Sequence, residues 1–275
     1  MLLDTSEFFA QLASSTGAAV THSLMSWLRG RLAVMTVKNT NSSVLADLWA
    51  RNNEGVAALI AALEEALTSP AKIAALAAIE LPAWGRLFDW RWTRAIEVVM
   101  PAAVGAAYGD PQRHPEIVAA GLAASLGVEE KNRSLAHPTT WGAAGVVSSQ
   151  LAYANFLRQR GARGDAASYV MGGLVAAIGL SKAAVSDGPL RTATGVGALS
   201  TAVLVALAND GMLRAQSPAA AGLSHGANLL AASEALTFLR AWRERNDKKT
   251  WRVAGAAEVA TRGIGKLLLM RGLAR

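Results

Sequence analysis

Charge is sparse in the apolar stretches of this chain, so each ionisable residue there is a candidate for chemistry. Lys182 stands inside the apolar segment 166–186, Glu234 inside 219–240, and Asp210 just past the end of 192–209. Burying such groups is costly unless they meet a partner, and pairing Lys182 with Glu234 would lower that cost. The two therefore read as a structural ion pair, as two unrelated interface residues, or as a functional site. The familiar catalytic patterns are absent. His22, His114, His137 and His225 are scattered, and no two of them share a metal-ligand spacing. With no Cys, thiolate zinc sites, disulfides and Cys nucleophiles are excluded. No Ser falls on a strand-to-helix elbow, because no stretch reads as a strand. Gly195-x-Gly197 lacks the third Gly and the preceding strand of a dinucleotide loop. Neither a metal nor a cofactor is expected.

The segments that must position these residues are long. Residues 166–186, 192–209 and 219–240 are rich in Ala, Gly, Leu and Val, and each is about the ~20 residues that cross a bilayer. Shorter apolar segments precede them near 95–109, 116–128 and 139–157. Only 17% of residues are charged against 52% hydrophobic, where a soluble domain carries about 25% charged. The net charge of +7 sits at the ends of apolar segments, not among aromatics on one face. That favours an anionic membrane surface over nucleic acid. Trp84, Trp90 and Trp92 alternate with Arg86, Arg91 and Arg94 over residues 81–94, which read as an interfacial helix. Trp141 and Trp242 extend the same aromatic belt to other segment ends.

Residues 1–80 have a different character. Thr5 or Ser6 can cap a first helix, Val20, Leu24, Leu28 and Leu32 line one face, and a polar break at 39–43 ends it. A second apolar series runs from Leu45 to Leu67, and Ser69-Pro70 offers an N-cap and first-turn Pro for a third helix. These faces either pack as a three-helix module or dock a protein partner or second copy of the chain. The start MLLDTSEFF has neither a basic stretch nor an apolar run, so no secretory signal is expected. Residues 243–275, with basic Arg262, Lys266, Arg271 and Arg275, read as an amphipathic helix lying on anionic lipid or on the N-terminal module, or else as a plain solvated helix face. The basic loops at 158–163 and 240–252 both call for the cytoplasm, yet three segments separate them.

Four collinear stretches between Trp92 and Ala241 carry a resemblance. They are Thr93-Arg94 before AIEVVMPAAV, AAGLAASLG at 119–127, Gly142 with Gln150, Tyr153 and Phe156, and Gly195-x-Gly197-Ala198-Leu199. Their order resembles the lysoplasmalogenase (YhhN) family of multi-pass membrane proteins. The resemblance implies hydrolysis of a vinyl ether bond, which needs buried carboxyl groups to protonate the enol ether and deliver water. The polar positions of that family have changed here. An Asp is Val128, a His is Gln150, a Ser-Asp pair falls on Leu204-Val205 or Asn209-Asp210, and a Gln is Glu234; Tyr153 is retained.

The expectation is an all-α, multi-pass transmembrane bundle at 95–242, with a helical module at 1–80, an interfacial helix at 81–94 and a C-terminal helix at 243–275. It sits in the cell inner membrane with the N-terminal module in the cytoplasm. Its function is that of a non-catalytic scaffold or membrane effector, with Lys182, Glu234 and Gln150 as binding candidates and the bilayer as partner. The enzymatic rival is a lysolipid hydrolase using Tyr153, Asp210 and Glu234. The third reading is a soluble all-helical interaction protein.

Overall fold

The computed structural model describes residues 43–109, 114–133, 140–184, 188–243 and 248–275, together with Gln112 and Ser186. The expected first helix, from Thr5 or Ser6 onward, lies outside them, as do His22 and His137. The chain is all-helical: ten helices and no strand occur among the described residues. They are α1 Ser43–Ala66, α2 Pro70–Phe88, α3 Thr93–Tyr108, α4 Pro115–Arg133, α5 Thr140–Gln159, α6 Ala166–Ala184, α7 Gly188–Ala208, α8 Gly211–Arg214, α9 Pro218–Arg243 and α10 Lys248–Leu273.

The chain divides into two units, Met1–Ala50 and Arg51–Arg275. The expected boundary was near residue 80, and the reason for the difference is electrostatic. Glu65, late in α1, accepts hydrogen bonds from Lys72 Nζ of α2 (2.8 Å) and from Arg271 Nε (2.7 Å) and Arg275 (2.6 Å) at the far end of the chain. Residues 51–80 thus belong to the larger unit.

Within that unit α2, α3, α4 and α5 pack each on the next, α7 packs on α5 and α9, and α10 closes the ring against α9, α2 and α3. Helix α6 packs chiefly on α7. Helix α2 begins where the sequence places it: the Ser69 side chain accepts from Lys72 N (3.3 Å), with Pro70 in the first turn. Residues 81–94 are not one interfacial helix. They form the end of α2, a turn through left-handed Asp89 (φ 59°), and the start of α3.

The C-terminal helix lies on protein, and part of what it lies on is residues 51–80 of the expected N-terminal module: it packs on α2, and Arg271 meets Glu65 of α1. Residues 265–273 of α10 are all buried, and so are Glu258, Arg262, Lys266 and Arg271. Arg262, Lys266 and Arg271 therefore face protein, whereas Arg252 near the start of the helix is exposed. Apart from Lys266, the run Ile264-Gly265-Lys266-Leu267-Leu268-Leu269-Met270 is apolar, the pattern of a buried helix. Close approach of small residues admits it. A Cβ on Gly226 of α9 would lie 2.7 Å from both the Gly265 carbonyl oxygen and the Leu269 nitrogen of α10.

Both atoms facing Gly226 are backbone, so the neighbour cannot yield cheaply. Gly226→Ala is expected to lower the melting temperature, since overpacking costs about 1–3 kcal/mol. Gly197→Ala in α7 meets nothing within 4 Å and should hold or raise it, because Ala exceeds Gly in helices by about 1 kcal/mol. Thermal denaturation of the two variants side by side checks the contrast; equal shifts would refute the close α9–α10 packing.

Candidate functional site

Helix α10 carries Glu258, Arg262 and Lys266 at i, i+4 and i+8, a single stripe turned into the bundle. Arg262 pairs with Glu258, which also accepts from Thr237 Oγ1 of α9 (2.8 Å). The charges of Glu234 and Glu97 also act on Arg262. Burial pulls its guanidinium down, but these carboxylates outweigh that and hold it firmly protonated. Glu97 of α3 is buried in turn and receives both arms of Arg86 from α2, the second at 2.8 Å.

Lys266 is the least satisfied member of this stripe, buried with only 5% of its surface exposed. Burial, and then repulsion from Arg262, pull its ammonium down to about 7 against the attraction of Glu234. Its Nζ lies 5.9 Å from the centre of the Tyr153 ring. Tyr153 is fully buried, and its hydroxyl has no hydrogen-bond partner among the described residues. One turn away on α5, Gln150 Oε1 accepts from Ser200 Oγ of α7. The structure therefore brings Tyr153 and Glu234 to a common neighbour, Lys266. Lys182 lies half-buried in the last turn of α6, whose main contact is α7, whereas Glu234 stands on α9, whose main contact is α10.

Asp210 does different work. Its Oδ2 accepts from the backbone N–H groups of Arg163 (3.0 Å) and Gly164 (2.7 Å), and its Oδ1 from Leu213 (2.9 Å). Asp165 reciprocates: Oδ1 accepts from Ser168 N (2.8 Å) and Oδ2 from Gly211 N (3.1 Å). Each aspartate caps its own helix and ties down the loop of the other. Burial pushes the Asp210 carboxyl up, but the backbone donors prevail and hold it below its ordinary value of 3.8. A carboxylate so held is an anchor and not a proton donor at neutral pH.

The aromatic residues at the α2–α3 turn are exposed and stacked. Trp84, Phe88, Trp90 and Trp92 follow one another with ring centres 6.0, 6.0 and 5.0 Å apart. Arg91 and Arg94 are exposed beside them, while Arg86 turns inward to Glu97. The side chains of Trp141 and Trp242 lie outside the described ones. Arg160 donates to the Gly272 carbonyl (2.9 Å) near the end of α10, whereas Arg252 pairs with Asp89 (3.0 Å) near its start. Arg160 and Arg252 are therefore anchored about 30 Å apart along α10, at about 1.5 Å per residue.

Two helical segments, Ala166–Ala184 and Arg191–Ala208, are long and apolar enough to cross a membrane. The segment 219–240 lacks that profile; it is the buried partner of α10. Among the described residues no group of three His, Asp or Glu side chains is placed to hold a metal ion. No known protein family, curated protein or solved structure matches the chain.

The sequence reading missed Glu97 and Glu258, and it took Arg262 and Lys266 only as basic residues of an amphipathic tail. The signal was present as the i, i+4, i+8 series Glu258, Arg262, Lys266 within one helix.

Two measurements follow from this geometry. Asp210→Asn cannot accept three N–H bonds and should lose about 1–2 kcal/mol of stability at neutral pH. The deficit should shrink as pH falls below 3.8, because the stabilisation of a depressed carboxyl is lost on protonation. For Lys266 the sign is opposite. Unfolded lysine titrates near 10.5 and the buried one near 7, so the full burial cost stands below about 7 and fades as pH rises toward 10.5. Lys266→Met should be more stable than wild type at about pH 6, with the difference shrinking by about pH 9. A pH-independent difference would show that Lys266 does not titrate in this way.

Proposed function

We propose that the chain is a non-catalytic, multi-pass inner-membrane protein, a scaffold or effector built on a lysoplasmalogenase-like arrangement of helices. Its α6 and α7 lie within the bilayer, and the N-terminal residues act as a cytoplasmic docking module. The observation that carries the membrane part is exposure. A soluble protein buries its most apolar helices, yet only 17% of the window in α6 and 39% of that in α7 are buried. Val170, Leu174 and Ile178, at i, i+4 and i+8, stand on the open face of α6 at 63%, 56% and 60% exposure. Contiguous apolar surface of that kind marks a membrane or partner contact. The aromatic stack of Trp84 to Trp92 with Arg91 and Arg94 supports a headgroup contact at the α2–α3 turn.

What supports the non-catalytic part is the state of the candidate acids. Asp210, whose carboxyl is held below its ordinary value, is committed to backbone donors, and Glu234 stands within electrostatic reach of Arg262 and Lys266. Enol ether protonation needs a carboxyl that holds its proton at working pH.

Alkaline carbonate extraction tests the membrane part: the protein is expected in the membrane pellet. Ile178→Asp should reduce that retention, since a central acidic residue costs about 2.5–3.5 kcal/mol in a span. On a solvent-facing helix the same change would be neutral, and that result, or release by carbonate, would refute the reading. Purified protein should release no aldehyde from a vinyl-ether lysolipid; release abolished by Glu234→Gln would establish the hydrolase instead.

A further inference from the structure

Adjacent glycines in α6 have unequal surroundings. A Cβ on Gly172 would lie 2.8 Å from the Ala202 carbonyl oxygen and 2.9 Å from Ala206 Cβ of α7, so helix packing accounts for that glycine. Gly173 would meet nothing within 4 Å. A glycine inside a helix costs about 1 kcal/mol relative to Ala, and no protein neighbour requires one at this position. What Gly173 leaves open is part of a groove of about 790 Å³ between α6 and α7. Small-molecule sites occupy about 300–1,000 Å³.

The groove is chemically polarised. Ala176 of α6 and Leu199, Val203 and Leu207 of α7 make its length apolar. Arg158 and Arg163 stand at one end, both exposed, and neither guanidinium has an ion-pair or hydrogen-bond partner among the described residues. No carboxylate lines the groove; the nearby Asp165 and Asp210 spend their oxygens on backbone N–H groups. Tyr169 marks the boundary, with its hydroxyl donating to the Arg163 carbonyl (2.7 Å) and its ring against Gly164. Aromatic residues with one apolar and one polar end settle at that depth of a bilayer.

The geometry points to a binding site for one anionic phospholipid of the surrounding leaflet. An acyl chain lies along the groove over Gly173, and the phosphate is held between Arg158 and Arg163. Paired guanidinium groups match phosphate oxygens through charge-assisted hydrogen bonds. A choline headgroup would bring its own positive charge against the same two arginines, so the site discriminates by charge. The proposal rests on the membrane reading of α6 and α7, and it adds that this hairpin selects its lipid.

Native mass spectrometry of the full chain in detergent, titrated with dioleoyl-phosphatidylglycerol or dioleoyl-phosphatidylcholine, tests it. The wild type should retain phosphatidylglycerol about tenfold more tightly, a difference of about 1.4 kcal/mol. Arg158→Gln with Arg163→Gln should bring that lipid down to the phosphatidylcholine level. Gly173→Leu, which projects into open space, should keep the melting temperature and lose the tight lipid. Equal retention of both lipids by the wild type would overturn the proposal, as would unchanged phosphatidylglycerol binding by a folded Gly173→Leu. Millimolar inorganic phosphate that displaces the lipid fully would assign the arginines to a soluble anion instead, which also overturns it. Carbonate extraction keeps the two readings apart. Release from membranes sinks the membrane reading, whereas retention without lipid preference sinks only the groove.

Discussion

The packing of the larger unit depends on placing a charged helix at its centre. Helix α10 closes the ring of helices, and its inward face carries Glu258, Arg262 and Lys266. An isolated buried charge costs several kcal/mol even after relaxation, so the surrounding helices must supply partners. They do so from three directions: Thr237 and Glu234 on α9, Glu97 on α3, and through Glu97 the guanidinium of Arg86 on α2. At the other end of α10, Arg271 and Arg275 meet Glu65, whose carboxyl burial alone would push up but which three cations hold at about 2. Helices α1, α2, α3 and α9 are thus fixed by the demands of one element. Lys266 is the least satisfied member, which is why its ammonium is held so far below its ordinary value.

Charge pairing sets which helices meet; small residues set how closely. Ala58, Ala62 and Ala66 form one stripe of α1, and Ala58 faces Gly222 of α9. Gly105 and Gly121 face each other between α3 and α4, where a Cβ on Gly121 would lie 2.8 Å from the Pro101 carbonyl oxygen. Small residues thus set the spacing of α1 with α9 and of α3 with α4, independently of the charges that join α10 to its neighbours.

Local rules carried further in the sequence than global ones. Ser69-Pro70 marked the start of α2 because a cap is decided within four residues, and the apolar runs marked α6 and α7 because length and composition suffice. All-helical structure followed from the same patterns. The position of α10 did not, because a basic, periodic helix satisfies a lipid surface and a buried ion network alike, and only tertiary partners such as Glu97 and Glu65 separate the two. The role of Asp210 was hidden for a similar reason. Its donors at Arg163 and Gly164 are 46 or 47 residues away in the chain, so no local pattern announces them. The turn through Asp89 was equally opaque, since Trp84, Trp90 and Trp92 share one composition across a helix end that only a left-handed residue defines.

The α6–α7 hairpin obeys a different balance from the rest. On α6, Gly172, Gly179 and Ala183 face α7, while Val170, Leu174 and Ile178 occupy the opposite side and stay exposed. In water the preference would be reversed, with the large side chains inside and the small ones tolerated outside. In hydrocarbon it is sensible, because lipid tails solvate the large side chains and helices associate through close packing of small ones. The charges at the hairpin's ends fit the same balance. Asp165 and Asp210 spend their oxygens on backbone N–H groups, and Arg158 and Arg163 are exposed with free guanidinium groups among the described residues. The carboxylates at this end are engaged by backbone donors and the two guanidinium groups are not, which leaves the cations available to an anionic partner.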